Sequence, residues 1–445
     1  MAAEARVERL DTAAPDFAAR FARLERRREH TRAQLEARVA EVIADVRARG
    51  DAAVLDAIHK FDGYKLRPEE LRVRAEEIDA AERKLAPEDA AALALAAERI
   101  REFHALHVPR SWDEAKTGQR LGQLVRPIAA VGLYVPSGVA PLASTTLMLG
   151  VPAAVAGVAR RQVASPGREI HPAVLHAAKL AGITAFYRVG GVQAIAAFAY
   201  GTETIPAVDK IVGPGSAYTQ EAKRQVFGQV AIDSEAGPSE VLIIADADAS
   251  AEYVAADLLA QAEHDERASV VLCTPSRALV GAVEAALERQ LATLPRAGIA
   301  RKSLAGHSAL VVTRDLEEAC ALANRYGAEH LQICTAEPER WLERIANAGA
   351  VFLGPLSPVP IGDYTAGPSH VLPTGGTARF FSVVGVEDFQ RRISRIEISD
   401  PVFEKLALAG SRLARLEGLE AHARALEIRL APARRAGGGR VDPKP

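Results

Sequence analysis

The sequence predicts an α/β fold with two doubly wound domains, each built on a mostly parallel sheet covered by helices on both faces. From about residue 125, short apolar runs alternate with Ala-rich helical stretches, and a second alternating series begins after "AIDSEAGPSE". A chain of 445 residues is also too long for one ordinary hydrophobic core. We therefore expect two sheets rather than one.

The first segment of the chain, to about residue 105, is predicted to be helical. It is rich in Ala, Glu and Arg with helical periodicity, as in "LEARVAEVIADVRARGDAAVLDAIHKFDG". The pairs Gly50-Asp51 and Asp62-Gly63 divide it into separate helices. Beyond about residue 385 the pattern is helical again, in "LALAGSRLARLEGLEAHARALEIRL". The Gly-, Pro- and Arg-rich tail, 431–445, is predicted to be disordered.

The strands of the two series are short and apolar, as expected for strands buried on both faces. The first series contains "IAAVGLYVP", "RRQVASP", "ITAFYRVG" and "DKIVGPG". The second contains "VLIIAD", "SVVLCT", "ALVVTR", "HLQICT" and "AVFLGP".

Charge and composition exclude several classes of protein. The formal charge is -2, so no strong field attracts nucleic acid or an acidic membrane. The first residues, "MAAEARVERLD", carry charges where a signal peptide needs an apolar core. Cys273, Cys320 and Cys334 show no metal-binding spacing and are interpreted as buried thiols of a reducing compartment. We expect a cytoplasmic protein with neither a nucleic-acid nor a membrane partner.

The tripeptide Ala-Glu-His occurs twice, in "QAEH" and in "GAEH". In the first copy, Gln261 and His264 lie three residues apart on a predicted helix and project from one face. They could hold a metal together with distant candidates such as Asp363 and His422, because two His, one Asp and one Gln would suit Zn²⁺. The alternative is a histidine that merely stabilises a helix end. Spacing does not decide between them.

In the second copy, Glu329 and His330 follow a glycine and precede an apolar run. A carboxylate beside an imidazole is suited to proton transfer, one group activating water and the other moving a substrate proton. The alternative is a polar turn at the end of a sheet. The flanking sequences of the two copies differ, so they are not an internal repeat.

Three glycine-containing turns follow strands of the first series: Gly132 to Gly138, Gly190 to Gln193, and Gly213 to Ser216. Carboxyl ends of strands are where doubly wound sheets bind ligands. No G-x-G-x-x-G follows a strand, so these turns predict a ligand cleft without naming a nucleotide.

Taken together, the motifs resemble those of the histidinol dehydrogenase family, in order from about residue 30 to residue 430. Those that carry the resemblance include "VGLYVPSG", "VGGVQAIAAFAYGTETIPAVDKIVGPG", "AGPSEVLIIAD", "LLAQAEHD", "YGAEHLQI", "GDYTAGPSHVLPTGGTARF" and "EGLEAHARALEIR". The resemblance implies a zinc-dependent, NAD-linked, four-electron oxidation of L-histidinol to L-histidine through L-histidinal. It also implies an intertwined homodimer with one zinc ion per subunit, two incomplete Rossmann-like domains and small helical terminal segments.

The resemblance assigns roles to particular residues. Catalysis falls to Glu329, which would activate water, and to His330 as general base and acid. The implied zinc ligands are Gln261, His264, Asp363 and His422. The implied substrate contacts are Ser239, Gln261, His264, His330, Asp363, His370, Glu417 and His422. Glu417 and His422 would come from the other subunit.

The implied NAD contacts are Tyr134, Gln193 and Ser216. Ser216 stands where the family usually has Asn, and Ser137 stands where it commonly has Gly. Ser216 keeps a short hydrogen-bonding group, whereas Ser137 adds a Cβ where the backbone could approach the cofactor.

The domain boundaries expected on this basis comprise five segments. They are an N-terminal helical segment (1–28), an α/β domain carrying zinc and the catalytic residues (29–133 and 238–384), an NAD-binding α/β domain (134–237), a C-terminal helical segment reaching the partner (385–430) and the tail (431–445).

Two alternative functions remain at this point. A related zinc and NAD enzyme could oxidise another polar alcohol, such as a dihydroxypropane sulfonate, but Glu417 and His422 favour an imidazole-bearing substrate. A zinc hydrolase using Glu329 as base is the other alternative, and it would not need the glycine turns.

Overall fold

The structure is a computed structural model, and it describes residues 7–25, 32–137 and 141–430. The predicted tail and parts of the N-terminal segment lie outside these residues. By compactness the chain divides into two units: unit 1 contains residues 1–108 and 127–390, and unit 2 contains residues 109–126 and 391–445. The domain boundaries expected from the sequence remain predictions.

The strands, in chain order, are β1 (Glu8–Asp11), β2 (Trp112–Lys116), β3 (Gln119–Pro127), β4 (Ala130–Tyr134), β5 (Arg160–Ala164), β6 (Ala185–Tyr187), β7 (Lys210–Val212), β8 (Ala231–Ile232), β9 (Glu240–Ala245), β10 (Ser269–Thr274), β11 (Ala309–Val312), β12 (His330–Cys334), β13 (Ala350–Leu353) and β14 (Gln390–Ile398).

The α-helices are α1 (Phe17–Glu25), α2 (Arg32–Arg49), α3 (Asp51–Ala57), α4 (Pro68–Leu71), α5 (Ala75–Ala80), α6 (Pro87–Ala105), α7 (Ala143–Val155), α8 (Pro172–Leu180), α9 (Gly191–Tyr200), α10 (Ala217–Val226), α11 (Ala251–Ala262), α12 (Arg277–Leu291), α13 (Ala297–His307), α14 (Leu316–Tyr326), α15 (Pro338–Leu342), α16 (Val359–Tyr364), α17 (Asp400–Leu416) and α18 (Glu420–Glu427). A short π-helical turn (Ile58–Asp62) and 3₁₀ turns (Glu82–Lys84, Thr377–Arg379 and Val386–Phe389) complete the regular structure.

Unit 1 contains two parallel sheets, which confirms the predicted α/β class. The six-stranded sheet has the order β1-β11-β10-β9-β12-β13, and the five-stranded sheet has the order β6-β5-β4-β7-β8. Neighbouring strands run parallel in both sheets. In each sheet the strand order changes direction at one point, between β9 and β12 or between β4 and β7.

Helices cover both faces of each sheet because successive strand residues point to opposite sides. In β9, Val241 and Ile243 pack against one group of helices that includes α11 and α12, whereas Leu242 and Ile244 pack on the side of α14. In the five-stranded sheet, α7 and α8 cover one face and α2 and α9 the other.

All nine strands predicted from apolar runs are present. The prediction was wrong at Glu8–Asp11, where a helical segment was expected but the chain forms β1 and pairs with β11. It was also wrong at Gln390–Ile398, where β14 extends the hairpin of β2 and β3 to a three-stranded sheet. The three cysteines are free and buried, as predicted. No helix among the described residues is both long and apolar enough to cross a membrane.

Candidate active site

Glu329 and His330 lie at the amino edge of the six-stranded sheet. Helix α14 ends at Tyr326 and is capped by Gly327, which adopts the left-handed conformation (φ 60°) that glycine accepts readily. Three residues after Gly327 the chain enters β12 at His330. The site therefore lies at the edge opposite to the one where doubly wound sheets ordinarily bind ligands.

The backbone of Glu240, the first residue of β9, orients both side chains. Its N–H donates to Oε2 of Glu329 at 2.9 Å. Its carbonyl oxygen lies 3.1 Å from Nδ1 of His330. Since a carbonyl only accepts, Nδ1 carries the proton in the neutral ring and Nε2 is the basic nitrogen. Nε2 has no hydrogen-bond partner among the described residues.

Burial and charge tune the two groups. Burial raises the pKa of Glu329 to about 7, although the nearby His330 lowers it in part. Burial alone would lower the pKa of His330, but the charges of Glu329 and Asp363 outweigh it and raise this pKa to about 9. Nδ1 of His330 is 3.6 Å from Oε2 of Glu329. Glu329 can thus exchange its proton near neutral pH, as a general base or acid must.

Asp363 faces the same histidine from α16. Its Oδ1 lies 3.7 Å from Nε2 of His330, which is beyond hydrogen-bond range. Burial would raise the pKa of Asp363, but the neighbouring histidines lower it, so this carboxyl is ionised at neutral pH. A negative group beside an open imidazole nitrogen leaves a position that a cation or a polar substrate atom could occupy.

His370 holds the segment that carries Asp363. Its Nδ1 lies 2.9 Å from the carbonyl oxygen of Asp363, and its Nε2 lies 3.2 Å from the hydroxyl of Thr145 on α7. Both ring nitrogens are therefore engaged within the protein. This arrangement favours a role in fixing Asp363 over a direct substrate contact, which stays a prediction.

Gln261 lies in the last turn of α11, whereas His264 lies two residues beyond the end of this helix at Ala262, so the prediction that both lie on one helix face was wrong. His264 is close enough to Asp363 for this carboxylate to affect its pKa. Ser250 caps the start of this helix, as its side chain accepts from the N–H of Tyr253. Nε2 of Gln261 is buried and has no hydrogen-bond partner among the described residues. Loss of contact with water lowers the pKa of His264, although the charge of Asp363 raises it in part. The imidazole is therefore neutral at neutral pH and able to ligate a metal.

The described residues contain no group of three or more His, Cys, Asp or Glu arranged to hold a metal. The ligand set predicted from the sequence contains only two residues of these four types in unit 1, His264 and Asp363. It would therefore not form a group of three there. Its third member there is Gln261. The fourth, His422, belongs to unit 2.

Two hydrogen bonds, here called the latch, join the start of β9 and the segment before it to the loop after His370. The N–H of Gly237 donates to the hydroxyl of Thr374, and the N–H of Gly375 donates to Oε1 of Glu240. Ser239 lies between the two latched positions, and its carbonyl accepts from the N–H of Ser269. The latch therefore fixes Ser239, a predicted substrate contact, and the backbone that orients Glu329 and His330.

Glu417 and His422 lie in unit 2. Glu417 follows α17 directly, and His422 is in the first turns of α18. Both are exposed. Arg415 joins the two helices through ion pairs with Glu420 and Glu427.

Tyr134, Gln193 and Ser216 lie at the carboxyl edge of the five-stranded sheet. The hydroxyl of Tyr134, at the end of β4, accepts from the N–H of Gly191 at 3.0 Å. Gln193, two residues after Gly191, is buried. Ser216 follows β7 and precedes α10. Since β4 and β7 flank the point where the strand order reverses, these residues surround the expected ligand position of such a sheet.

Sequence reasoning did not find the contribution of Glu240. Contacts made by backbone groups leave no trace in residue type. The side chain gave one sign, because an acidic residue opens the otherwise apolar stretch "EVLIIA", and a buried carboxylate needs partners.

Comparisons with known proteins show to which family the chain is similar. A sequence model of histidinol dehydrogenase matches residues 25–430. The histidinol dehydrogenase of Cereibacter sphaeroides is 50% identical over 425 residues, covering 95% of this chain and 98% of that protein. That of Heliobacterium mobile is 49% identical over 402 residues, covering 89% and 94%.

A solved structure gives the same result at the level of the fold. The crystal structure of histidinol dehydrogenase from Elizabethkingia anophelis superposes with a TM-score of 0.90 at 36% identity, over 95% of this chain and 98% of that one. The chain belongs to the histidinol dehydrogenase family, and it is an oxidoreductase.

Proposed function

We propose that this protein oxidises L-histidinol to L-histidine through L-histidinal, with two NAD as electron acceptors and zinc as the metal, in the last steps of histidine biosynthesis. One observation carries the proposal. The backbone of Glu240 binds the side chains of both Glu329 and His330, and Nε2 of His330 faces Asp363. The overall reaction consumes the alcohol, two NAD⁺ and one water and yields the carboxylate, two NADH and three protons.

Zinc fits the residues available. Gln261, His264 and Asp363 offer an amide, a neutral imidazole and an ionised carboxylate, and His422 would complete the set. The buried amide nitrogen of Gln261 has no hydrogen-bond partner among the described residues, so no described contact of this nitrogen prevents the amide oxygen from turning toward a metal. Zn²⁺, when bound, would hold the imidazole and amine of the substrate, and its charge would oppose protonation of the neighbouring His330.

The chain's own residues supply the proton chemistry. Nε2 of His330 would take the hydroxyl proton as the alcohol is oxidised, since Nδ1 is committed to Glu240. Glu329 would then take a proton from the water that adds to the aldehyde, and the raised pKa makes it basic enough to do so. NAD, when bound, would accept hydride in each half. Holding the substrate in place contributes entropically to both halves.

We assign the NAD contacts to Tyr134, Gln193 and Ser216. Their position at the strand reversal of the five-stranded sheet supports this assignment. Substrate contacts are assigned to Ser239, Glu417 and the metal-binding and catalytic residues, whereas His370 is assigned to fixing Asp363. Glu417 would accept from the substrate imidazole, a contact that favours histidinol over alcohols without one.

We further propose that the enzyme is a homodimer in which Glu417 and His422 complete the partner's site. Helices α17 and α18 expose an unusual number of large apolar side chains, which in a soluble protein mark an interaction surface. They are Leu406, Leu408, Leu413 and Leu416 on α17 and Ile428 directly after α18.

The proposal is tested by product stoichiometry. Purified protein with zinc and NAD should form about two NADH per histidinol, since each oxidation step transfers one hydride. NADH from a sulfonated diol but not from histidinol would instead indicate the related alcohol oxidase. Hydrolysis without NADH would indicate the zinc hydrolase.

The role of Glu329 is tested by isolating the two halves. Glu329→Gln should slow histidinal oxidation by about 100-fold or more and slow histidinol oxidation to the aldehyde far less. The matched control is Glu263→Gln in the other Ala-Glu-His copy, which should leave both rates within about twofold of the original protein. Equal losses in both halves for Glu329→Gln would contradict the assignment.

A further inference from the structure

A buried ion pair lies beneath the carboxyl edge of the five-stranded sheet. Lys223 of α10 pairs with Asp233, which directly follows β8, and their side chains are only 1% and 3% exposed. Lys and Asp are almost never buried to this degree unless they are paired. Removing two charges from water is costly, so the position of this pair calls for an explanation.

The pair holds both backbone groups of a single residue, Gly213. Nζ of Lys223 donates to the carbonyl oxygen of Gly213 at 3.0 Å. The N–H of Gly213 donates to Oδ2 of Asp233 at 2.8 Å. Gly213 has φ 133°, and a Cβ at this position would overlap the carbonyl oxygen of Tyr134. The ion pair thus fixes Gly213 tightly against the end of β4.

Gly213 begins the turn that leads from β7 to α10, here called the 213–216 turn. The hydroxyl of Thr219 donates to the carbonyl oxygen of Ser216 at 2.8 Å and fixes the far end of the turn. Gly215 lies beside the ring of Tyr134, since a Cβ there would be 3.2 Å from it. The turn therefore contains one of the three residues assigned to the cofactor, Ser216, and lies against another, Tyr134.

We infer that Lys223 and Asp233 are positioning residues for the nicotinamide cofactor. They act through Gly213, which sets the distance between the 213–216 turn and Tyr134. The inference rests on the proposed NAD-linked function of this edge. Loss of the lysine leaves Asp233 buried without its counter-charge, and the turn must then move to let water reach the carboxylate.

The experiment measures the dissociation constant of NADH by fluorescence, together with zinc content, for the purified zinc-loaded protein. Lys223→Met should weaken NADH binding by about tenfold or more, with zinc content unchanged. Lys223→Arg should recover part of the affinity, because it restores the charge and a donor. Asp233→Asn keeps an acceptor for the N–H of Gly213, and its effect should be smaller than that of Lys223→Met.

Lys210→Met is the matched control. Lys210 opens the same strand, β7, and pairs with Asp388 at 2.7 Å at the edge away from the turn. It should leave NADH affinity within about twofold even where it lowers stability. Unchanged affinity in Lys223→Met, or an equal loss in Lys210→Met, would overturn the inference.

The outcomes separate this inference from the proposed function. If the unmodified protein binds no NADH, the proposed function itself fails. If Lys223→Met does not fold, Lys223→Arg and Asp233→Asn test the inference instead, since both substitutions keep a side chain of similar size at the buried position. Normal NADH binding by both of these variants would then refute the positioning role.

Discussion

Proton transfer depends at the residue scale on which nitrogen of His330 is free. The carbonyl of Glu240 occupies Nδ1, and Nε2 faces Asp363. The same residue binds Glu329 through its N–H. Two side chains adjacent in sequence thereby serve one cleft, although neighbours on a regular strand would face opposite ways. Glu329 achieves this because it lies just before β12 begins.

The raised pKa of Glu329 predicts a pH dependence for the second half of the reaction. The base form is the carboxylate, whose fraction increases as pH rises through about 7. The rate of histidinal oxidation should therefore increase with pH below about 7 and level off above it. Rates measured across this range with histidinal as substrate would show the inflection. The same inflection in Glu329→Gln would assign it to another group.

The latch between Thr374 and Gly237 predicts a second effect at this scale. Thr374→Val removes the acceptor for the N–H of Gly237 without changing the shape of the side chain. Because Gly237 is exposed, water can replace the lost acceptor, so stability should fall by no more than about 1 kcal/mol. The displaced backbone should slow NADH formation by about fivefold.

Thr335→Val is the control for the latch, because this buried hydroxyl has no hydrogen-bond partner among the described residues. Its stability and rate should stay close to the original values. Steady-state rates and urea unfolding of both variants test the latch, and a slowed Thr335→Val enzyme would show that the effect is not specific to Thr374.

At the scale of elements, both candidate sites lie where a sheet reverses its strand order, but at opposite edges. The residues assigned to the cofactor end β4 (Tyr134) or follow β6 (Gln193) and β7 (Ser216), whereas the proposed catalytic pair precedes or opens β12. Strand positions were predictable, because apolar runs identify buried strands. Strands β2 and β14 were not, since their exposed, charged residues lack such a run. The location of the candidate active site at the amino edge of the six-stranded sheet depends on where α11 and α16 end. No local sequence pattern specifies these positions.

Gly327 predicts a measurable cost at the junction of α14 and β12. It has φ 60°, so Gly327→Ala should lower the free energy of unfolding by about 1 kcal/mol. Gly327→Asn should cost less, because asparagine tolerates this conformation better.

Gly281→Ala is the matched comparison for Gly327, since Gly281 lies inside α12 with open space around it. It should raise the unfolding free energy by about 0.5–1 kcal/mol. Urea denaturation measures all three variants. A stabilising effect of Gly327→Ala would contradict the left-handed conformation of this residue.

At the scale of the whole molecule, the assigned site draws on segments far apart in the chain. Gln261, Asp363 and His422 are separated by roughly 100 and 60 residues, and no spacing rule spans such gaps. The set was inferred only through the family resemblance. The structure brings Asp363 beside His330 in unit 1, whereas the contribution of His422 depends on the proposed dimer.

Subunit mixing tests that dimer. Neither Glu329→Gln nor His422→Ala protein should oxidise histidinal at an appreciable rate alone. Refolded together in equal amounts, they should recover about a quarter of the original activity, because half the dimers are mixed and each has one intact site. Refolding each variant alone is the control. No recovery, with mixed dimers demonstrated by differential tagging, would place His422 in the site of its own subunit.

The hydrogen bonds from Glu240 to the catalytic pair have a consequence for how this enzyme tolerates change. Because they come from peptide groups, a substitution at position 240 leaves both donors and acceptors in place. A one-residue insertion or deletion in β9 would instead shift its pairing with β12 and offer the pair a peptide turned the other way. The peptide hydrogen bonds themselves therefore tolerate drift in amino-acid type other than to proline, although the Glu240 side chain also holds Gly375; they do not tolerate drift in length.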